Sequence, residues 1–287
     1  MKKISLGILH PGEMGISVAA SAQDTQHAIF WASVGRSQET IERANNYQLN
    51  DAKDISGLCL KCEIIISVCP PEVADEVANQ VIAENFSGLY LDANAISPQR
   101  SRHIGKRMAA ASINYVDGGI IGPPAWSPET TVLYLAGKDA EEVVPLFAKG
   151  ALEAQIVSEK IGDASALKMC FAAYTKGSTA LLCSILASAE KQGVRDALNK
   201  HWSRNGSSFA TQAANRVLGV TAKAWRFVAE MEEISSTFEA AGVPGVSQST
   251  AAEIYRRLAH FKNAKSTPEL EQVLCALIEL ETTPTPR

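Results

Sequence analysis

Residues 1–15 read MKKISLGILHPGEMG, and this stretch decides the fold. A short apolar strand, Ile4 to Leu9, runs into a turn carrying Gly12 and Gly15, and a helix-forming run from Ile16 to Ala22 follows. Strand, glycine turn and helix in that order bring backbone N–H groups and the positive end of a helix against a pyrophosphate. In the spacing G-x-G-x-x-G the first glycine falls at position 10, where this chain carries His10. Gly7, His10, Pro11, Gly12, Glu13, Met14 and Gly15 are the expected dinucleotide contacts. The His10 imidazole reads either as a loop side chain or as a group over the phosphates.

Outward from this turn, residues 1 to about 160 alternate short apolar runs with amphipathic ones, the pattern of a parallel sheet with crossover helices. Strands are expected at Ile4–Leu9, Ala28–Ala32, Ile64–Val68, Leu89–Asp92, Ile113–Asp117 and Val132–Ala136, the last two forming the sheet edge. Helices are expected at Met14–Ala22, Gln38–Asn46, Pro71–Ala83, Pro98–Ala111 and Ala140–Phe147. Ser37 precedes one with Glu39 in its first turn, and Pro70-Pro71 opens another.

The character changes after Gly162. Asp163 to Gln192 contains no proline and reads as one long helix of about 42 Å. Further helices are expected at Asp196–Trp202, Ser207–Val217, Ala222–Ala241, Ser247–Phe261 and Pro268–Leu280, with a frayed tail at Thr282–Arg287. The expected organisation is α/β: a Rossmann-type doubly wound domain over residues 1–160, then an all-α domain over 161–287 that begins with the long helix and serves substrate binding and dimerisation.

A net charge of −4 argues against a dedicated nucleic-acid surface. No run approaches 18 uninterrupted apolar residues, and Pro11, Gly12 and Glu13 interrupt the N-terminal segment too early for a signal peptide. A cytoplasmic protein is therefore expected. Cys59-x-x-Cys62 is a single pair without a second pair or a histidine at finger spacing, so it reads as two small apolar residues, and no metal is expected.

The residue that ends the second Rossmann strand discriminates between NAD and NADP. This strand ends Trp31-Ala32-Ser33-Val34-Gly35-Arg36-Ser37, with no acid. The planar fork of Arg36 suits a 2′-phosphate, and Ser33 and Ser37 offer hydroxyls beside it. NADP is the expected cofactor, with NAD the lesser alternative.

Four segments resemble the β-hydroxyacid dehydrogenase family, which includes 3-hydroxyisobutyrate dehydrogenase and the NADP-binding half of 6-phosphogluconate dehydrogenase. The resemblance covers residues 1 to about 180. Gly7, Gly12, Met14 and Gly15 coincide with a family turn, G-x-I-G-L-G-x-M-G. Ile66-Ser67-Val68-Cys69-Pro70 resembles the strand end along the nicotinamide, so Val68, Cys69 and Pro70 are implied cofactor contacts. Asp92 and Pro98 match D-x-S-T-x-x-P, with Asn94 in the serine position as an implied contact of cofactor and substrate.

In Asp117-Gly118-Gly119-Ile120-Ile121-Gly122-Pro123 only Asp117 and Gly122 match the substrate loop D-x-P-V-S-G-G, and Ile121 and Pro123 replace serine and glycine. With Ile120, Pro124 and Trp126 these residues read as the lining of a larger, less polar pocket. The fourth segment, Ile161 to Lys168, resembles G-x-G-x-x-x-K, and the family's catalytic lysine maps onto Lys168. Its partner asparagine maps onto Ala172.

Hydride transfer to a carbonyl leaves a developing alkoxide that needs a proton. Lys168, an ammonium in the unfavourable first turn of a helix, reads as that donor. Lys176 lies 80° round and about 12 Å along the same helix, and reads either as a contact for a remote anionic group of the substrate or as a solvated side chain. The expected activity is an NADP-dependent hydroxy-acid or alcohol dehydrogenase, or a carbonyl reductase. Two other readings remain: an imine reductase, whose members commonly lack the lysine, and a dinucleotide sensor without chemistry. Trp202, Phe209, Trp225, Phe227 and Phe238 add apolar bulk to the helical half, which leads to the expectation of a homodimer acting on a small molecule.

Overall fold

The alternating N-terminal segments pair into one twisted sheet flanked by helices. The structure, a computed structural model, describes residues 3–278. Two compact units meet in sequence between Met169 and Cys170.

The first unit runs β1 (Ser5–Ile8), α1 (Glu13–Gln23), β2 (Ala28–Trp31), α2 (Gln38–Asn46), β3 (Asn50–Asp51), α3 (Ile55–Lys61), β4 (Ile64–Ser67), α4 (Ala74–Ala83), β5 (Leu89–Asp92), α5 (Pro98–Ala110), β6 (Asn114–Ile121), β7 (Val132–Ala136), α6 (Ala140–Val143) and β8 (Glu153–Ser158). Among the described residues the sheet has eight strands in the order β3-β2-β1-β4-β5-β6-β7-β8. The first six are parallel, β7 runs antiparallel to β6, and β8 is parallel to β7. The order reverses between β1 and β4, and at such a switch point the carboxyl ends of the strands open a crevice.

Alternation within each strand builds the two faces of the core. Ile8, Trp31, Ile64, Ile66, Leu89, Leu91 and Val116 pack with Ile16, Ala19 and Phe147 on one side. Ile65, Tyr90 and Tyr115 pack with Leu58, Val77, Ala78, Ile104 and Met108 on the other. Both strand faces are covered, so these strands read as unbroken apolar runs.

Several boundaries differ from expectation. β6 does not stop at Asp117 but continues through Gly118 to Ile121, because β7 pairs with that extension. The edge beyond β7 is β8, whose mostly exposed Glu-Ala-Gln-Ile-Val-Ser pattern carries no apolar alternation to find. β3 is two residues long. The segment from Pro71 opens as a 3-10 turn before α4. Cys59 and Cys62 sit on and just after α3 as free thiols, and burial pushes each up to about 12.

The long helix begins as α7 (Asp163–Ala172), passes through a π-helical segment at Ala173–Gly177, and continues as α8 (Ser178–Lys191). A π turn misaligns backbone carbonyls, and side chains take them up. Thr175 Oγ1 donates to the Phe171 oxygen at 3.2 Å, and the Tyr255 hydroxyl donates to that of Lys176 at 2.7 Å. Contrary to expectation, this helix is long and apolar enough to cross a membrane by length and composition alone, and nearly half of its apolar stretch is buried in the protein.

The second unit continues with α9 (Arg195–Trp202), α10 (Phe209–Val220), α11 (Ala224–Ala240), α12 (Val246–Leu258) and α13 (Leu270–Ile278). Leu182, Leu186, Val217, Met231, Ile234, Tyr255, Leu258 and Leu274 are buried in it. Leu280 and the tail expected at Thr282–Arg287 lie outside the described residues.

Candidate functional site

The glycine turn joins the carboxyl end of β1 to α1. A β-carbon at Gly15 would stand 2.1 Å from the His10 carbonyl oxygen, so only glycine lets the helix lie this close to the turn. At Gly7 it would crowd Cys62 and Leu58 at 3.2 Å. Gly12, the residue before α1, has nothing within 4 Å of a built β-carbon, and no side chain caps the helix. The space beside Gly12 thus lies at the positive end of α1, whose first N–H groups have no side-chain cap. His10 is half-buried beside this turn. Burial, reinforced by Arg36, lowers its pKa to about 4, so the ring is neutral near pH 7, and its Nδ1 is buried without a partner.

Arg36 lies over the same ends. Its Nη2 is 3.4 Å from the Leu9 carbonyl and its Nε is 3.3 Å from that of Ala32. Ser37 has a local task as the N-cap of α2, accepting from the Thr40 N–H at 3.3 Å. Ser33 hydrogen-bonds Asp51, which also holds Lys53 at 2.7 Å. The acid missing from the second strand thus arrives from the third, already paired. Arg43, which the sequence reading passed over, brings a second guanidinium to 3.5 Å from the Pro11 carbonyl while bound to Glu39 at 2.6 Å.

Across the switch point, Val68 and Cys69 are half-buried at the end of β4 and Pro70 is exposed. Asn94 fixes this segment. Its Oδ1 accepts from the Cys69 N–H at 2.6 Å and its Nδ2 donates to Ser67 Oγ at 3.0 Å. Asn94 is buried, and these bonds make it a brace for the Ser67–Cys69 segment. Burial pushes the Cys69 thiol up to about 12.

Two buried acids pair across neighbouring strands, Asp92 at the end of β5 and Asp117 midway along β6. Asp92 and Asp117 face each other in register, as do Tyr90 and Tyr115, whose rings stack at 6.2 Å. Burial, with the Asp117 charge adding to it, raises Asp92 to about 7. Asp117 is also raised by burial, against which it collects four donors: the hydroxyls of Ser101 at 2.8 Å and Ser165 at 2.5 Å, and the N–H groups of Gly162 at 2.9 Å and Ser165 at 3.0 Å. The last three donors belong to the start of α7. Three residues on, Lys168 packs over β6, where a β-carbon at Gly119 would meet the Ala164 oxygen at 2.6 Å and Lys168 Cβ at 3.1 Å.

The substrate-loop residues are more committed than the sequence implied. Ile120 is buried in the sheet core, and Trp126 stacks on Tyr47 at 5.3 Å. Gly122 has φ +133°, a conformation other residues rarely adopt, and Pro123 accepts from the Thr131 hydroxyl at 2.6 Å. Ile121 and Pro124 are half-buried and Pro123 is exposed, so they remain the apolar surface of this loop. In the second unit Ala172 is buried and without a polar group. Lys176 corrects its solvated reading. It is largely buried, pairs with Glu230 at 2.8 Å and lies 4.8 Å from the Phe227 ring centre.

The model of the NAD-binding domain of 6-phosphogluconate dehydrogenase matches residues 5–156, more than half of the chain. The chain belongs to this family. Residues 189–258 of this 6-phosphogluconate dehydrogenase-like chain match a second family, a domain of unknown function.

An uncharacterised 28.5 kDa protein of Methanothermus fervidus is 29% identical over 186 residues, 64% of this chain and 71% of its own. A conserved protein of unknown function, described as structurally similar to 3-hydroxyacid dehydrogenases, superposes with TM-score 0.66 and 26% identity over 90% of this chain and 98% of its own. The 3-hydroxyisobutyrate dehydrogenase of Mycobacterium tuberculosis, solved with L-serine, gives TM-score 0.71 at 16% identity over 96% and 99%. The fold is thus hydroxyacid dehydrogenase-like. The residues of this 6-phosphogluconate dehydrogenase-like domain fit a nicotinamide dinucleotide: the space above Gly12 is open, the helix end is uncapped, and a guanidinium stands at the second strand.

Proposed function

We propose that the chain is an NADP-dependent oxidoreductase interconverting a carbonyl and an alcohol, with Lys168 as proton donor and acceptor. The observation that carries this reading is the place of Lys168: its stem packs over Gly119, past the last β5–β6 pair, on the same carboxyl-end rim that bears the glycine turn. When bound, the dinucleotide supplies or takes up a hydride at its nicotinamide. The Lys168 ammonium gives a proton to the carbonyl oxygen as negative charge gathers there, and the neutral amine takes it back in the reverse direction. The start of α7 holds the lysine, while Asn94 braces the loop at Cys69.

Arg36 supports NADP over NAD, because its fork suits a 2′-phosphate and the nearby Asp51 is neutralised by Lys53. Apolar Ile121 and Pro123 favour a substrate less polar than a small hydroxy acid. Exposed Phe171, Tyr174 and Leu181 on the long helix support association into a homodimer through the helical unit. Six free cysteines suit a reducing cytoplasm. Retention of the lysine favours carbonyl chemistry over imine reduction.

The test is turnover of a panel of ketones, aldehydes and cyclic imines with NADPH. Lys168→Ala should lower carbonyl turnover about 10²- to 10⁴-fold while NADPH affinity stays unchanged. Undiminished turnover in that variant overturns the role of Lys168. Tight NADPH binding with no turnover of any compound favours the sensor reading.

A further inference from the structure

We propose that Asp117 is a positioning residue for Lys168, acting through the N-terminus of α7. The inference rests on the proposed role of Lys168 and adds the device that aims it. Strand β6 presents Asp117 and Gly119 two positions apart, on one face of the sheet. Helix α7 meets both. Asp117 Oδ2 takes the N–H groups of Gly162 and Ser165, and Oδ1 takes the Ser165 hydroxyl. Gly119 provides the bare backbone on which Ala164 and Lys168 rest.

The first helical N–H groups have no partner within the helix and need an acceptor from outside. A buried carboxylate from a rigid strand supplies it, with the charge sign that a helix N-terminus favours. Ser165 and Lys168 lie three residues apart and share a face of α7, so the contact that anchors the helix also sets the direction of the lysine stem. Two fixed points, one polar and one steric, thus define both the axial position and the rotation of α7 on β6. The Asp117 carboxylate touches no reacting group in this arrangement.

The alignment pattern had marked Asp117 only as the opening residue of a substrate loop. In the structure its four donors come from α5 and α7, which leaves it turned inward and away from that loop. An amide at this position keeps one acceptor oxygen but turns its NH2 group on donors that the second carboxylate oxygen had satisfied.

The experiment follows the Lys168 Cε–Hε cross-peak in full-length protein labelled with ¹³C-lysine, assigned by its loss in Lys168→Ala. Asp117→Asn and Gly119→Ala should both shift or broaden that peak, the first by releasing the helix end and the second by pushing the lysine stem. Ser158→Ala is the control. It removes a 2.7 Å bond to Asp163 on the outside of the same helix start and should leave the peak in place. On whichever carbonyl the panel identifies, Asp117→Asn should lower kcat about 10- to 100-fold, with the Kd for NADPH within about twofold of the parent.

An unmoved Lys168 peak in folded Asp117→Asn overturns the inference, and so does an equal response to Ser158→Ala. If Asp117→Asn does not fold, Ser165→Ala decides by the same peak, because it removes one of the Asp117 hydrogen bonds and keeps the carboxylate: an unmoved peak there overturns the inference. Failure of the proposed chemistry is read separately: Lys168→Ala then retains turnover while the peak still responds to Asp117→Asn.

Discussion

The carbonyl oxygen of His10 lies 2.1 Å from where Gly15 would carry a β-carbon, whereas Gly12, three residues earlier, faces empty space. The two glycines of one turn therefore do different work, and substitution separates them. Gly15→Ala forces the turn off α1 and should cost about 1–3 kcal/mol of stability, read from the denaturant midpoint. Gly12→Ala should change stability by less than about 1 kcal/mol, since its extended backbone suits alanine. Its methyl group would fill the space offered to the pyrophosphate, so NADPH affinity should fall at least about tenfold by calorimetry. Equal loss of affinity and stability in both variants would contradict this division.

Asn94 and Cys69 make a second separable contact. Asn94→Ala leaves the Cys69 N–H and the Ser67 hydroxyl without their partner, at a cost of about 1–3 kcal/mol. A brace of this kind predicts weaker coenzyme binding with an unchanged preference between NADH and NADPH, because Asn94 bonds the Ser67–Cys69 segment and not Arg36. A change in that preference, measured by fluorescence titration, would point to a direct role instead.

Much of this was written in the first line of the sequence. The strand, the glycine turn and the helix start identified the crevice, and Ser37 announced α2 through its cap. The paired motif Tyr90-Leu91-Asp92 and Tyr115-Val116-Asp117 was also visible, as two acids closing apolar runs. It went unread because register, which places the acids opposite one another, comes from the sheet and not from either strand. The solvated reading of Lys176 failed for a related reason. Helical periodicity gave its angle on a straight helix, while the π segment and the Glu230 partner depend on tertiary packing. Strand β8 had no apolar alternation to betray it.

Lys176 and Glu230 should accordingly behave as structure. Both side chains are largely buried, so Lys176→Ala leaves a carboxylate without its cation and should cost about 3–5 kcal/mol. Lys176→Met with Glu230→Gln should recover part of that loss in a thermal melt. If Lys176→Ala instead raises KM for substrate with no loss of stability, the buried-pair account is wrong.

Asp92 and His10 titrate in opposite senses. The folded pKa of Asp92, about 7, exceeds its unfolded value near 4, so between them the native state holds a proton the unfolded chain has lost. Stability from this group falls as pH rises through that window. His10 has a folded pKa of about 4, below its unfolded value near 6.5, so its contribution is lost as pH falls from about 6.5 to 4. The two slopes partly cancel in the parent protein. Asp92→Asn should therefore expose a rise in stability from pH 4 to 6.5, and His10→Gln a decline, each a few kcal/mol at most by urea unfolding. Slopes of the reverse sign would refute the assigned protonation states.

The proposed preference for NADP rests on Arg36. Its guanidinium is held over the ends of β1 and β2 by the carbonyls of Leu9 and Ala32, contacts that orient the fork without neutralising it. Hydrogen bonds to a charged group contribute about 1.5–3 kcal/mol, so Arg36→Ala should weaken NADPH binding about 10- to 100-fold. NADH binding, which has no 2′-phosphate to lose, should change by less than about threefold, and the salt dependence of NADPH binding should flatten. Arg36→Lys should recover only part of the loss, because a point charge replaces a planar fork. Calorimetric titration of both coenzymes against the three proteins reads each outcome. Parallel losses for NADH and NADPH would mean that Arg36 props up the turn and does not read the phosphate.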